Sequence, residues 1–566
     1  MKKGDVCEGI IERYDFPNKG SFQVDERKVT IKGALPGQKV KYMVTKKKSG
    51  MAEGKVLEVL ERSPLEDVEP TCHYFGACGG CAYQTMSYDN QLKLKADMVK
   101  ALLDRVLLAE DSNSKDYEWE GILGSPSQTA YRNKMEFTFG DAYKDGPLAL
   151  GLHQKGSFYD ILTVDGCEII GADWSRILTA TLAFFSGRNV PFFHRMRHEG
   201  ILRNLVVRQS RANGQFLINL VTSTQWDTYG FDVKQLLQAF VEMLLELEKS
   251  DAFAGSIAGI LYTENDALGD VVQSDRMELL YGQDYIEEEI LGLKFKISPF
   301  SFFQTNTGGC EVLYEKARDY IMRGSVKLDG DKTVFDLYSG TGTIAQMLAP
   351  VCKKVVGVEI IEEAVEAAKE NAALNHLDNC EFLAGDVLKV LDTIEERPDY
   401  IVLDPPRDGI HPKALEKIIN YGVDHMIYIS CKPTSLARDL EVLLARGYVV
   451  DKVQCVDMFP NTVHVETVVK LSLKKDTPKI EVTMEPDEES NYTPEEKATY
   501  QKIKDYVKDK YGVNVHTSYI AQVKRMCGLD MGENYNKSRK ENPEVKQCPQ
   551  EKVEYIKDAL RYFGLL

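Results

Sequence analysis

Three groups of residues in this chain have types and spacings suited to chemistry. The first is Cys431, which directly follows the apolar run HMIYIS and precedes a predicted helix. The ends of strands in α/β sheets are where ligands bind, and helix N-termini and nearby cations such as Lys432 favour the thiolate form of a cysteine. The position therefore predicts a cysteine nucleophile, although a cysteine taken alone is more often a core residue.

The second group is a glycine-containing turn. The segment TVFDLYSGTGTIAQMLAP predicts a strand, a turn and a helix, and Gly340 and Gly342 let the backbone approach a ligand at the helix N-terminus. A dinucleotide-binding turn has the form G-x-G-x-x-G, whereas DLYSGTG has the form D-x-x-x-G-x-G that methyltransferases carry. The turn therefore indicates a site for S-adenosylmethionine (SAM), with a generic α/β domain as the alternative.

Acidic residues at the ends of the following strands support this interpretation. Glu359 ends the next predicted strand, 23 residues after Asp336, where a carboxylate suits the hydroxyls of a ribose. Asp386 ends a third strand, where it could contact an adenine edge, and Asp404 follows a fourth strand in the sequence DPP. Ligands of open α/β sheets bind outside the carboxyl ends of the strands, so we expect these residues to share one cofactor site.

The third group is a cluster of three cysteines, Cys72-x5-Cys78-x2-Cys81. Glycines between the last two allow the backbone to wrap tightly, and Cys167 in VDGCEII can supply a fourth thiolate. Four thiolates suit either an iron–sulfur cluster or zinc. Zinc sites usually comprise two close pairs, so three clustered cysteines and a remote one favour an iron–sulfur cluster over zinc or no metal.

Together these motifs resemble those of the RNA (uracil-5-)-methyltransferase family, over roughly residues 1–473. DPPR, SCKPTSLARDL and FPNTVHVE are similar to the catalytic motifs of the family, and SFFQTN to its cofactor motif. The four cysteines resemble the [4Fe–4S] site of the branch that modifies ribosomal RNA, and GALPGQKV resembles a turn of TRAM domains, which are small RNA-binding barrels. The resemblance implies Cys431 as nucleophile and Glu466 as general base. It also implies four side chains that contact SAM: Gln304, Tyr338, Glu359 and Asp404.

The implied chemistry is methylation of uracil at C5. That carbon is a weak nucleophile, so a thiolate first adds to C6, and a base later removes the C5 proton so that the cysteine can leave. We expect SAM-dependent methylation of a specific uridine in 23S ribosomal RNA. The barrel and the cluster favour ribosomal RNA, because the branch of the family that modifies transfer RNA generally lacks both. Transfer RNA is the alternative substrate. A non-catalytic iron–sulfur RNA-binding protein is an alternative of another class. Cytosine-C5 enzymes carry a second cysteine near DPPR, where this chain has none.

The elements that must position these residues predict a multidomain α/β protein. Short strands separated by Gly and Pro predict an N-terminal TRAM- or OB-like β-barrel, and alternating strands and helices predict a C-terminal Rossmann-like class I methyltransferase domain. A mixed α+β domain with the iron–sulfur site lies between them. The predicted domains are 1–60, the RNA-binding barrel; 61–297, the central RNA-binding domain; 298–475, the methyltransferase domain; 476–494, an acidic linker; and 495–566, a small helical module of unknown role.

Composition and charge limit the range of possible binding partners. The 566 residues carry a net charge of −17, no long apolar run and no apolar leader, so we expect a cytoplasmic monomer without membrane association. The negative average does not exclude RNA, which needs only a local basic surface. The candidate surfaces are AYRNKMEFTF, with Tyr131, Arg132 and Lys134, and PFFHRMRHEGILRNLVVRQSR. Phe302 and Phe303 could hold a splayed base or fill the core.

Overall fold

The structure is a computed structural model that describes residues 1–110, 112–157, 159–269, 272–322, 332–394, 396–474, 500–511, 513, 515, 517–527 and 548–563. The chain divides into two units, residues 1–477 and 478–566. In the part of the chain that is described, no helix combines the length and the apolar character needed to cross a membrane. The predicted acidic linker, 476–494, lies outside the described residues.

The N-terminal segment forms a six-stranded sheet. Its strands are β1 Val6–Ile10, β2 Arg13–Asp15, β3 Lys19–Val24, β4 Arg27–Lys32, β5 Lys39–Lys48 and β6 Met51–Glu61. They pair in the order β1-β5-β6-β4-β3-β2, with only β4 and β6 parallel. Alternate side chains of each strand face a core that contains Phe22, Ile31 and Tyr42. The predicted run of short strands is thus observed, while its assignment to the TRAM type stays a prediction.

The cysteine segment leads into helix α1, Tyr88–Leu107, and strand β7, Glu118–Leu123. A second sheet follows, made of β8 Lys134–Asp141, β9 Leu148–His153, β10 Ile161–Leu162, β11 Leu202–Gln209, β12 Gln215–Thr222, β13 Ser256–Glu264 and β14 Arg276–Gly282. Its order is β10-β9-β8-β11-β12-β13-β14. Helices α2, Ala172–Ser186, and α3, Val233–Glu248, bury Trp174 and Phe240 against this sheet. A short 3-10 turn, Asp227–Tyr229, precedes α3.

A two-stranded hairpin and a long helix precede the parallel strands of the third large sheet. They are β15 Ile286–Ile290, β16 Leu293–Ile297 and α4 Thr307–Met322. Strands and helices then alternate: β17 Thr333–Leu337, α5 Thr343–Leu348, a 3-10 turn Ala349–Val351, β18 Lys354–Glu359, α6 Glu362–Leu374, β19 Cys380–Ala384, α7 Val387–Val390, β20 Tyr400–Leu403, α8 Pro412–Asn420, β21 His425–Ser430, α9 Pro433–Ala445, β22 Tyr448–Val456 and β23 Glu466–Leu473.

These strands build an eight-stranded sheet in the order β19-β18-β17-β20-β21-β23-β22-β7. The first five strands are parallel, and β23 runs antiparallel between β21 and β22. Their interiors are almost wholly apolar because helices cover both faces of the sheet. The predicted α/β class is confirmed, and the carboxyl ends of the parallel strands meet at one edge of the sheet.

One part of the predicted central domain lies elsewhere. Strand β7 pairs in parallel with β22, so it forms the edge of the eight-stranded sheet. Helix α1 buries Val99, Leu103 and Leu107 in the core of the same sheet. The sequence could not show this, because the pairing joins segments more than three hundred residues apart and local periodicity reports only local structure. The predicted boundaries of the other domains stay predictions.

The second unit contains three helices in its described part: α10 Tyr500–Tyr511, α11 Thr517–Met526 and α12 Gln550–Tyr562. Apolar residues recur along each helix and meet in a small core that includes Ile503, Ile520 and Ile556. The helical character expected for this module is observed over these residues.

Candidate active site

The turn after β17 brings the backbone to the edge of the sheet. Gly342 has a φ of +75°, and a β-carbon there would lie 2.6 Å from the Phe382 ring, so only glycine fits. Gly340 has a φ of +54°. The buried Asp336 accepts a hydrogen bond from the Ala345 N–H at 3.0 Å, while its other oxygen has no partner in the structure. Burial and the charge of a nearby carboxylate raise the pKa of Asp336 to about 8.

Glu359 and Asp386 are both fixed by backbone groups, but they face different surroundings. The Glu359 carboxylate accepts from the Gly340 N–H at 3.1 Å and from the two following backbone N–H groups at 2.8 and 3.0 Å. Asp386 caps helix α7 by accepting from the Leu388 N–H at 2.9 Å. Asp386 is absent from the lining of the cavity described next, so its contact with adenine stays a prediction.

One cavity at the carboxyl edge of the sheet unites the other predicted residues. Those that line it are Gln304, Tyr338, Gly340, Glu359, Asp404, Cys431 and Glu466. They come from six segments that are far apart in the chain, and the parallel strands align the ends of those segments. The cavity therefore brings the residues predicted to contact the cofactor together with one thiol and one further carboxyl group.

Cys431 and Glu466 lie side by side. The antiparallel register of β21 and β23 pairs Ser430 with Thr467. Cys431, which follows Ser430, and Glu466, which precedes Thr467, therefore reach the same edge of the sheet. Directly opposed residues of an antiparallel pair point to the same face of the sheet. A nucleophile and a base placed in this way can act on neighbouring atoms of one bound ring.

The thiol differs from the expected thiolate. Burial raises the pKa of Cys431 to about 11, with the charges of Glu466 and Asp404 adding to the effect and Arg407 opposing it. The cation predicted to assist, Lys432, instead faces Asp408 at 3.7 Å. The sequence shows a strand end and a helix start, but it cannot show that the charges of Glu466, Asp404 and Arg407 act on the thiol.

The two carboxyl groups beside the thiol are themselves perturbed. Burial and the charge of Asp404 raise the pKa of Glu466 to about 8, and Glu466 is only 4% exposed. Burial alone raises the pKa of Asp404 to about 7. Carboxyl groups tuned toward neutrality are typical of proton acceptors in active sites.

The two adjacent phenylalanines of the SFFQTN loop lie in different surroundings. Both line the cavity, but Phe303 is buried and packs near Phe295, whereas Phe302 is 69% exposed. The loop is held by Arg208, which donates to the carbonyls of Pro299 (3.1 Å) and Ser301. Phe302 is therefore the better placed of the two to stack on a base, and Phe303 packs in the core.

The cavity is also lined by residues that were not predicted as site residues, among them Arg407, Phe459 and His464. Burial and the charge of Arg407 lower the pKa of His464 to about 4, so its ring is neutral at physiological pH. Arg407 and His464 belong to the motifs DPPR and HVE. Their membership of these motifs is a sequence signal by which both residues can be identified.

The two predicted basic surfaces are partly structural. Arg203 and Arg208 are 7% and 2% exposed, and Arg203 donates to the carbonyls of Ala267 and Gly269 at 2.8 and 2.7 Å. Tyr131 is also buried. Arg132 does line the cavity, so it remains the best placed of the predicted RNA contacts.

The four predicted ligand cysteines meet in a second cavity. Cys72, Cys78, Cys81 and Cys167 line it together with Tyr74 and Val164. Burial, together with the charge of Cys167, raises the pKa of Cys81 to about 12, and burial raises the pKa of Cys167 to about 11. Across the described ranges, no three His, Cys, Asp or Glu side chains converge tightly enough to hold a single metal ion.

The parallel sheet, the D-x-x-x-G-x-G turn and the acidic strand ends define the class as SAM-dependent methyltransferases. A family model described as tRNA (Uracil-5-)-methyltransferase matches residues 264–474. An uncharacterized RNA methyltransferase of Clostridium tetani is 48% identical over 84% of this chain and 99% of its own length. Another, from Caldanaerobacter subterraneus, is 48% identical over 83% of this chain and 99% of its own length.

A solved structure supports the same assignment. The Pyrococcus abyssi tRNA (uracil-54, C5)-methyltransferase in complex with S-adenosyl-L-homocysteine has a TM-score of 0.60 and 25% identity, covering 82% of this chain and all of that one. The chain belongs to the RNA (uracil-5-)-methyltransferase family. It is an enzyme that uses SAM to methylate C5 of uracil in RNA.

Proposed function

We propose that the enzyme methylates a uridine of 23S ribosomal RNA through a covalent adduct between Cys431 and C6 of the base. The observation that carries the covalent step is the placement of Cys431 and Glu466 on adjacent strand ends in one cavity. A thiol and a carboxyl group side by side can serve C6 and C5 of one ring, which are bonded to each other.

Each step has a residue to perform it. The Cys431 thiol, whose pKa is about 11, first loses its proton to solvent, and the thiolate forms a bond to C6. The electron pair of the C5–C6 double bond moves to give an enolate across C5, C4 and O4. C5 then takes the methyl group of SAM, which leaves as S-adenosylhomocysteine. Glu466 removes the C5 proton, the C5–C6 double bond re-forms, and the bond between C6 and sulfur breaks. Arg407 opposes the two carboxylates at the thiol and favours its ionised form.

The cavity fits SAM on several counts. The left-handed glycine turn leaves space in front of the sheet, since a β-carbon at Gly340 would meet nothing nearer than Phe302 at 3.9 Å. Gln304, Tyr338, Glu359 and Asp404 surround this space. We propose that they hold the cofactor, with Glu359 on the ribose hydroxyls.

We expect SAM affinity to rise with pH, because the sulfonium is cationic and the carboxyl groups near it attract it only when ionised. The pKa values are about 7 for Asp404 and about 8 for Glu466. Below these pKa values, the affinity for SAM should fall by up to about tenfold per pH unit for each carboxyl group that must lose a proton. Above them, the affinity should be constant. Isothermal titration of SAM and S-adenosylhomocysteine across this range measures the effect. The neutral thioether is the matched ligand, and an equal pH dependence for both would contradict the prediction.

The choice of RNA rests on features outside the catalytic cavity. The N-terminal sheet, proposed as a TRAM-type domain, and the four-cysteine cavity support ribosomal RNA. Transfer RNA is the second candidate, because the Pyrococcus abyssi enzyme acts on tRNA and its fold covers 82% of this chain. Incubating the enzyme with labelled SAM and unmodified ribosomal or transfer RNA, followed by nucleoside analysis, decides between them. Absence of 5-methyluridine from both would overturn the proposal. The monomeric state and cytoplasmic location stay predictions.

We also propose that Cys72, Cys78, Cys81 and Cys167 hold a [4Fe–4S] cluster. The four thiols share one cavity, and burial raises the pKa values of Cys81 and Cys167 even though the charge of Arg132 opposes the rise at Cys167. A cluster distributes its ligands over several irons, so the thiolates need not converge on one point. With four cysteines as ligands, the cluster would anchor the surrounding segments.

Anaerobically purified protein should therefore be brown, with iron and sulfide in equal amounts. Replacing Cys81 with serine should remove most of the visible absorbance, because one of four ligands is lost. Cys7→Ser, a half-buried cysteine of the N-terminal sheet, is the matched control. Elemental analysis gives the metal content, and a colourless protein with stoichiometric zinc would refute the assignment.

A further inference from the structure

The loop between β22 and β23 brings cavity residues to the catalytic base. Residues 457–465 include Phe459 and His464, which line the cavity, and lead directly into Glu466. Asn461 at its centre has a φ of +66°, a left-handed conformation that asparagine tolerates better than most residues. Such a turn keeps one conformation only when its surroundings hold it.

Two groups next to the cysteine cavity hold the peptide of Asn461. The backbone N–H groups of Ala82 and Tyr83, the two residues after Cys81, donate to the Asn461 carbonyl at 2.7 and 3.1 Å. From helix α1, the Gln91 side chain donates to Asn461 Oδ1 at 2.9 Å and accepts from the Asn461 N–H at 2.8 Å. Asn461 therefore makes its hydrogen bonds with the cysteine segment and the helix that follows it.

The rest of the loop is tied to the same region. Lys95 of α1 forms a fully buried ion pair with Asp457 at 2.7 Å and donates to the Phe459 carbonyl at 3.1 Å. Tyr131 donates to the Pro460 carbonyl at 2.9 Å. Buried charged and polar groups of this kind fix one geometry, because breaking any contact leaves a polar atom unpaired.

A second connection runs from Cys167 to the SFFQTN loop. The carbonyls of Glu168 and Ile169, which follow Cys167, accept from the N–H groups of Ala130 and Arg132 at 2.8 and 2.9 Å. One residue further, the Asn133 N–H donates to the Thr305 carbonyl at 2.9 Å. The Asn133 side chain donates to the Gln304 carbonyl at 3.1 Å and to the Thr307 hydroxyl at 2.8 Å. The short segment 130–133 thus joins the cysteine cavity to the loop of the proposed cofactor contact.

We propose that the four-cysteine site sets the geometry of the active site, with Gln91 and Asn133 as the positioning residues that transmit it. The segments that carry Cys81 and Cys167 hold the two loops that supply the base and a cofactor contact. The identity of the reaction rests on the proposed function, but the coupling between the sites does not. Disrupting the cysteine site should therefore slow methyl transfer itself. If the site only bound RNA, its disruption would change only the KM for RNA.

Gln91→Met tests the first connection without touching a cysteine. Methionine keeps the length of the side chain and loses both hydrogen bonds to Asn461, together with the one to the Met86 carbonyl. We expect the single-turnover rate at saturating RNA and SAM to fall about tenfold to a hundredfold, as when reacting groups are misplaced by a fraction of an ångström or more. The KM for RNA should stay within about twofold of the wild-type value, since no RNA contact changes. Lys93→Met, an exposed position of the same helix, is the matched control and should leave both values unchanged.

Hydrogen–deuterium exchange supplies a readout that needs no activity. Peptides covering 457–466 should lose protection in Gln91→Met and in Cys81→Ser, whereas peptides of the parallel strands β17 and β18 should not. Asn133→Leu should do the same for peptides covering 298–306. Unchanged protection of both loops in all three variants would overturn the proposal. Because exchange is measured on the protein alone, a failure of the proposed reaction would leave this result intact.

A double variant separates coupling from general damage. If Gln91 and Cys81 act through the same loop, Gln91→Met combined with Cys81→Ser should lose less than the product of the two single losses in rate. Fully multiplicative losses would contradict a shared route. If Cys81→Ser does not fold, removal of iron from the folded wild-type and Gln91→Met proteins under chelation provides the same comparison.

Discussion

Replacing Cys431 with alanine should reduce RNA methylation by about 10⁴-fold or more, the scale of loss when a covalent nucleophile is removed. The alanine methyl group cannot add to C6, so C5 is never activated. The position in the cavity is otherwise preserved, because Cys431 makes no structural hydrogen bond that holds another element and alanine is smaller. Single-turnover transfer of a labelled methyl group at saturating RNA and SAM measures the loss.

Two controls make this result specific. Cys380→Ala removes another half-buried cysteine of the same sheet, away from the cavity, and should retain activity. SAM binding by Cys431→Ala should remain close to that of the wild type, which shows that the fold and cofactor site persist. A Cys431→Ala enzyme that methylated RNA at the wild-type rate would contradict the covalent mechanism.

Glu466→Gln should stop the reaction one step later. The amide cannot accept the C5 proton, so a methylated adduct in which Cys431 remains bonded to C6 should accumulate, and turnover should fall about 10²- to 10⁴-fold. The adduct migrates as a protein–RNA band on a denaturing gel. In the wild type, the release step should speed up with pH until it passes about 8, the pKa of Glu466, because only the ionised carboxylate takes the proton. The Gln variant should lack this rise.

Substrate and protein controls isolate the base. RNA with 5-fluorouridine should trap the wild-type enzyme, since fluorine cannot leave as a cation, but it should not trap Cys431→Ala. Glu441→Gln, an exposed carboxyl on α9, is the matched substitution and should release RNA normally. A Glu466→Gln enzyme that turned over without accumulating adduct would assign proton removal to another group.

Residues tied to a strand end were the ones that sequence could place. Cys431, Glu359 and Asp404 each follow an apolar run, and alternating strands and helices make the topology of the sheet, and so the edge they share, predictable. Asp386 also follows a strand, yet its carboxylate caps α7, because a side chain that can accept from its own backbone often does so.

What the sequence could not show depends on contacts between distant segments. The bonds from Ala82 and Gln91 to Asn461 join residues about 370 positions apart, and no periodicity marks them. The same holds for Arg208, whose charge suggested an RNA surface although its guanidinium is buried on the SFFQTN loop. The raised pKa of Cys431 likewise depends on Glu466, a neighbour only in space.

Strand β7 has a consequence for how the protein is made. It is synthesised more than three hundred residues before β22, its only partner in the sheet. At about 5–20 residues per second, the ribosome needs on the order of tens of seconds to produce that partner. Throughout that time β7 and the α1 residues Val99, Leu103 and Leu107 lack the sheet that they pack against, while the two sheets encoded around them can already form. The catalytic sheet is thus the last part of this unit to close, and a fragment starting at residue 298 would lack both an edge strand and a covering helix.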